Sequence, residues 1–258
     1  MNKCILISID GMRPDGFLAC GNPYIKELMA MGSYTLTGRT VFPSITLPCH
    51  TSMFHSVPPQ VHGILDNTYV APEHPVDGIF EAVKNFGGRS VMFYNWQPLR
   101  DIGGPSSLIA ADYISDKAAE FTDRTLTRRM LSCAGELHPE FIFMYMVETD
   151  TKGGHHNGWM SEEYLRRISL ALDNVREIID TLTPEYSVVI TADHGGHDHN
   201  HGEDVPEDMT IPQFYIGPGF EPGRQLEDVS ILDTAPTIAD IMGIEPDPEW
   251  VGKSLLRK

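Results

Sequence analysis

The stretch TADHGGHDHNH, Thr191 to His201, follows the apolar run Ser187-Val188-Val189-Ile190 and sets Asp193, His194, His197, His199 and His201 within nine positions. A β-branched run ending in an acid and a histidine predicts a buried strand with ligands at its C-terminal tip, where open α/β sheets place their active sites. Carboxylate oxygens beside imidazoles are donors for a divalent metal. A histidine-rich surface loop would hold a metal only incidentally. Two other apolar runs end the same way, however: Lys3 to Ile9 before Asp10, and Phe141 to Val147 before Asp150. Three strand-end carboxylates predict an α/β fold organised around a metal site.

The 258 residues are 41% hydrophobic and 21% charged, which suits one main domain over residues 1–258 with room for a small insertion. A formal net charge of −17 disfavours polymeric nucleic acid or an anionic membrane as partner, since either needs a basic face. A small anion is acceptable where bound metal screens the acids. Cys4, Cys20, Cys49 and Cys133 form no C-x-x-C pair, so neither a disulfide framework nor a thiolate zinc site is expected, and a reducing cytoplasm is the default. The first apolar run stops at Asp10, too soon for a signal-peptide core, and no stretch approaches a membrane span.

Cys4 to Ile9 reads as a buried strand closed by the Asp10-Gly11 turn, which leaves the carboxylate at the strand tip. Helical spacing at Ile25, Leu28 and Met29 predicts a helix over Asn22 to Met31, stopped by Gly32, and Ser33 to Val41 alternates as a strand. Asp77 to Phe86 is expected as a short helix ended by Gly87-Gly88, Ser90 to Tyr94 as a strand, and Thr122 to Leu137 as a helix exposing Arg124, Arg128 and Arg129. Pro98, Gly103, Gly104 and Pro105 make the chain from Trp96 to Asp112 turn-rich, and this segment, within the broader stretch 66–112, is the candidate lid. Ser161 should cap a long helix whose stripe of Leu165, Ile168, Leu172, Val175, Ile179 and Leu182 is core. Ile211 to Ile216 reads as a strand, and Asp233 as the cap of a helix from Ala235 to Met242 that Gly243 ends.

In FPSITLPCHTSMFHS, residues 42–56, Thr46 precedes an apolar-faced segment with Pro48 in its first turn, so Thr46 is expected as the helix N-cap. A hydroxyl there would also sit beside free backbone N–H groups and the positive end of the helix dipole, an anion site containing a nucleophile. Downstream, Glu148 to Trp159, ETDTKGGHHNGW, repeats the pattern of strand, acid, glycine and histidine, with His155 and His156 five and six residues after Asp150.

Asp10, the P-S-x-T-x-P-x-H stretch at 43–50, H-G-I-x-x-N at 62–67, Asp150 with its glycines and histidine, Asp193-His194-Gly195 and His201-Gly202 occur in that order. On these residues the chain resembles the alkaline phosphatase superfamily, and within it the type I phosphodiesterase and nucleotide pyrophosphatase branch, from residue 4 to 243. The resemblance implies a three-layer α/β sandwich with a mostly parallel central sheet. It also implies one metal held by Asp10, Asp193, His194 and the Thr46 oxygen, a second held by Asp150, His155 and His201, and a phosphate oxygen held by Asn67. Relatives usually place the acid and histidine of the second site four apart, whereas Asp150 and His155 are five apart. The H-x-x-G-W continuation favours His155 and leaves His156 open.

Asp and His donors suit zinc, with manganese or iron as substitutes, and two ions ~4 Å apart can bind the attacking and leaving sides of a phosphoryl group. Metal coordination would make Thr46 a competent nucleophile and give a phosphothreonine intermediate. The substrate expected is a small, nucleotide-like phosphodiester or pyrophosphate, because the neutral amide of Asn67 suits a singly charged diester. A phosphomonoester or phosphonoacetate hydrolase of the same superfamily would need added cations, for which Arg13, Arg39 and Arg100 are candidates. A sulfatase would carry C/S-x-P-x-R, and Thr46-Leu47-Pro48-Cys49-His50 fits at neither end. The reading from another class is a metal-containing binding protein without activity.

Overall fold

The computed structural model describes residues 1–72, 75–104 and 106–256. In chain order its elements are β1 (Lys3–Ile9), α1 (Pro14–Ala19), α2 (Tyr24–Met31), β2 (Ser33–Arg39), α3 (Thr46–His55), α4 (Pro59–His62), α5 (Ile79–Asn85), β3 (Ser90–Tyr94), β4 (Ala110–Tyr113), α6 (Thr122–Leu137), β5 (Phe141–Met146), α7 (Glu162–Leu182), β6 (Tyr186–Thr191), α8 (Pro206–Met209), β7 (Thr210–Ile216) and α9 (Thr234–Met242). Among the described residues one sheet runs β2-β7-β6-β1-β5-β3-β4. From β6 to β4 all neighbours are parallel, while β7 lies antiparallel to both β6 and β2. Helices α3, α5 and α9 pack together on one face, and α1, α2 and α6 gather around α7 on the other. Covered on both sides, β1, β5 and β6 are buried almost end to end, which is why they read as unbroken apolar runs.

The strands that end in acids, β6, β1 and β5, are immediate neighbours, paired Ser8 with Thr191 and Ile9 with Met146. Asp10, Asp150 and Asp193 therefore leave the sheet at one edge. No helix among the described residues is long and apolar enough to cross a membrane.

Several boundaries move. The helix expected from Asn22 begins at Tyr24, because Asn22 Oδ1 accepts from the Tyr24 N–H in a turn (2.9 Å). The strand expected to reach Val41 stops at Arg39, and the helix expected over Asp77 to Phe86 is Ile79–Asn85. Helix α1 has no counterpart in the sequence reading; six residues are too few to show a period. Asp233 precedes α9 but does not cap it: its carboxylate accepts from the backbone N–H of Ser230 and Lys253, 2.9 Å each. Within the candidate lid, α5 and β3 belong to the layers, and Ala110–Tyr113 is the edge strand β4. Among the described residues, what lies outside the layers is 66–72, 75–78, 95–104 and 106–109, including a 3-10 turn at Gln97–Asp101; Glu73, His74 and Pro105 fall outside the described residues.

Candidate metal centre

Thr46 is the first residue of α3, not its cap; the N-cap position is Ile45 and carries no side-chain bond. The cap comes from elsewhere, since Asn67 Oδ1 accepts from the Leu47 N–H at 3.0 Å. That bond fixes the amide orientation and leaves Asn67 Nδ2 as a donor on the exposed side. Released from capping, the Thr46 hydroxyl lies 3.2 Å from His194 Nε2.

The three carboxylates are buried, and each keeps one oxygen without a hydrogen bond: Asp10 Oδ1, Asp150 Oδ1 and Asp193 Oδ2. The second oxygens of Asp10 and Asp193 are held, and that of Asp150 lies 3.5 Å from His155 Nε2. Tyr145 donates its hydroxyl to Asp10 Oδ2, and Asp193 Oδ1 accepts from the N–H of Gly11 (3.2 Å) and His194 (3.0 Å). Burial, followed by the charges of Asp193 and Asp150, raises the Asp10 carboxyl far above the ordinary carboxylate range. Burial likewise pushes Asp150 up to about 6. Burial works the same way on Asp193 but is outweighed by His194 and His50, so this carboxyl falls below its usual value.

Three histidines face these oxygens. His194 Nδ1 is 2.7 Å from the Gly195 carbonyl, His201 Nδ1 is 2.8 Å from that of Ser44, and His155 Nδ1 is 2.9 Å from that of His199. A carbonyl only accepts, so each ring carries a proton on Nδ1 and turns Nε2 inward, the arrangement of metal-binding histidines. Burial, then His194, drives His201 down to about 3, which keeps it neutral. His194 Nε2 lies 3.3 Å from Asp10 Oδ1 and 3.4 Å from Asp193 Oδ2; His201 Nε2 is 3.8 Å from Asp150 Oδ1, and His155 Nε2 3.5 Å from Asp150 Oδ2. Lone pairs facing lone pairs at these distances repel in a buried site, and a cation between them removes the conflict. Donor atoms of Asp10, Asp193 and His194, and again of Asp150, His194 and His201, lie within 4.8 Å of one another. His194 thus joins both groups, with its ring stacked on His201 at 3.8 Å, while His155 flanks the second.

The five-residue spacing of Asp150 and His155 is met by a π-helical turn, Thr149–His155. Bonds from i to i+5 place residues five apart on one face. The same turn points His156 outward, exposed. His197 turns away to Asp208 (Nδ1 to Oδ1, 2.7 Å), and the exposed His199 bonds the His155 carbonyl at 3.1 Å. Arg13 is held by Asp15 and the Gly196 carbonyl, Arg39 pairs loosely with Asp204 at 3.6 Å, and Arg100 pairs with Asp101.

Three residues behind the centre carry no expectation from the sequence. His50 donates from Nδ1 to the Thr46 carbonyl (2.8 Å) and accepts on Nε2 from Ser8 (3.0 Å). Tyr145 orients Asp10, and Trp159 Nε1 donates to the Gly11 carbonyl at 3.0 Å. His50 closes the P-S-x-T-x-P-x-H stretch and Trp159 the ETDTKGGHHNGW stretch, so their presence is legible in the sequence although their contacts are not. Tyr145 shows only as a hydroxyl within a buried apolar strand.

Residues 4–86 match the family profile described as type I phosphodiesterase/nucleotide pyrophosphatase, and residues 85–246 match the metalloenzyme superfamily. The ectonucleotide pyrophosphatase/phosphodiesterase family member 1 of Mus musculus is 23% identical over 219 residues, 74% of this chain and 24% of that protein. The chain thus spans about a quarter of the length of that curated relative. In fold it is similar to the murine ectonucleotide pyrophosphatase/phosphodiesterase 5, an inactive form in complex with AMP, with a TM-score of 0.79 and 16% identity, covering 96% of each chain. It is also similar to the phosphonate monoester hydrolase of Silicibacter pomeroyi, with a TM-score of 0.74 and 16% identity, covering 99% of this chain and 76% of that one.

Proposed function

We propose, since this chain belongs to the alkaline phosphatase superfamily of metalloenzymes and to its type I phosphodiesterase and nucleotide pyrophosphatase branch, that it is a two-metal hydrolase of small, nucleotide-like phosphodiesters or pyrophosphates. The observation that carries this reading is the trio of orphaned carboxylate oxygens facing inward Nε2 atoms beside Thr46. Their chemistry fits zinc, with manganese or iron as substitutes. Asp10, Asp193, His194 and Thr46 would hold one ion; Asp150, His155 and His201 would hold the other. When bound, the two ions supply the positive charge that lowers the Thr46 pKa and stabilises the leaving oxygen.

Thr46 Oγ1 then attacks phosphorus, the leaving alkoxide departs, and the resulting phosphothreonine is hydrolysed by water. Asn67 Nδ2 donates to a non-bridging phosphate oxygen while Oδ1 keeps α3 in place. Arg13, Arg39 and Arg100 are each engaged with an acid, which supports a singly charged diester over a doubly charged monoester. The described parts of 66–78 and 95–109, residues 66–72, 75–78, 95–104 and 106–109, are the proposed lid of a single catalytic domain. The unbridged cysteines support a reducing, cytoplasmic setting.

Metal analysis with a substrate panel tests the reading. The purified protein should carry close to two divalent ions per chain, lose activity with a chelator, and prefer an aryl diester or dinucleotide over an aryl monoester and phosphonoacetate. Metal content near zero, with activity unaffected by chelation, would refute it.

A further inference from the structure

The π-turn Thr149–His155 absorbs the extra residue between Asp150 and His155, and its surroundings are ionic. Glu148, just before the turn and buried, accepts on Oε1 from the N–H and hydroxyl of Thr122 and from Lys152 Nζ at 3.1 Å, and on Oε2 from Arg167 Nη1 at 3.1 Å. Lys152, inside the turn, also donates to the carbonyls of Ala119 (2.8 Å) and Glu120 (2.7 Å), which uses all three of its donors. Arg167, from α7, spreads its guanidinium over Glu148, Glu163 and Glu120. Asp123 fixes the strand end behind them, accepting from the N–H of Val147 (3.2 Å) and Glu148 (3.3 Å). Two strand-to-helix junctions and the turn are thereby tied together.

Burying such an ion cluster gains little net stability over apolar packing. Its geometric effect is specific, because the cluster grips the turn at Glu148 and Lys152, on either side of Asp150 in the sequence. We propose, resting on the two-metal reading, that Glu148, Lys152 and Arg167 are positioning residues of the second metal site, a clamp that holds the turn in π-register so that Asp150 and His155 face one ion.

Cobalt(II) titration of the metal-free protein, read by visible absorption, tests the clamp. Wild type should take up two ions. In Lys152→Met one ion should bind as in wild type and the other at least tenfold more weakly, with a changed absorption band. Lys152→Arg, which restores the cation, should recover both. Glu148→Gln, which keeps the side-chain shape, should also weaken one ion and carries the test if Lys152→Met fails to fold. Two ions bound at wild-type affinity in the folded variants, or both weakened equally, would overturn the clamp while leaving the two-metal reading intact. A wild type that takes up no cobalt would overturn both.

Discussion

Thr46 is a hydroxyl that its helix does not need. Because Asn67 caps Leu47, Thr46→Ala should cost less than the ~1 kcal/mol usual for a lost cap, while removal of a nucleophile lowers kcat by orders of magnitude. Thr46→Ser should keep much of the activity, and a quenched wild-type reaction should show phosphate on Thr46. Substantial turnover in a folded Thr46→Ala protein would transfer the attack to water. Around the histidine loop, His201→Ala should be severe and His197→Ala and His199→Ala mild, since His197 is committed to Asp208 and His199 is exposed; metal content of the three variants decides. Asp123 gives a pH prediction. Burial, then Glu148, pushes it up to about 8 from 3.8, so folding favours its neutral form. Its stability contribution is complete below about pH 4 and is lost as pH rises toward 8. Asp123→Asn, neutral throughout, should flatten the decline of metal-free protein over that window, read by urea unfolding at several pH values; an unchanged slope would contradict the assignment.

Among elements, the loops after β1, β5 and β6 meet on one side chain. Trp159 donates to the Gly11 carbonyl and is packed between Gly154 and Gly196, where an added Cβ would lie 2.5 and 2.2 Å from its ring atoms. Glycine at these positions lets an indole register all three acid-bearing loops. Gly154→Ala should lower stability by ~1–3 kcal/mol through overpacking and weaken metal binding as well, measured by urea unfolding and metal titration. Wild-type values in both would separate the indole from the centre. The edge strand β4 escaped the sequence reading because it has four residues and alternates between partly buried and exposed positions behind a glycine- and proline-rich approach.

For the whole molecule, the proposed metal binding and folding would be one equilibrium. Asp10 and Asp150, whose carboxyls burial raises, oppose the fold in their charged form, and an ion that binds only the folded chain stabilises it by ~4 kcal/mol at a thousandfold excess over Kd. Chelation should therefore lower Tm by about 10 °C in a chain of this size, measured by calorimetry with and without chelator. An unchanged Tm would mean that the acids are not compensated by metal. The net charge of −17 acts in the same direction, since divalent ions relieve part of it.

The strands β1, β3, β5 and β6, the acids at three of their ends, and α7 with its Ser161 cap are legible in the amino-acid order alone, because each is written in a short local pattern of burial period and terminal residue. That order leaves open whether His155 or His156 faces Asp150, points to caps at Thr46 and Asp233 that the fold does not use, and does not show that β7 runs antiparallel. Long-range contacts set each of these. The π-register depends on an ion cluster drawn from α6, α7 and the chain before the turn, the cap of α3 comes from an amide twenty residues downstream, and β6, β1 and β5 become neighbours through pairings across most of the chain. Contacts between distant residues leave no local period in the sequence.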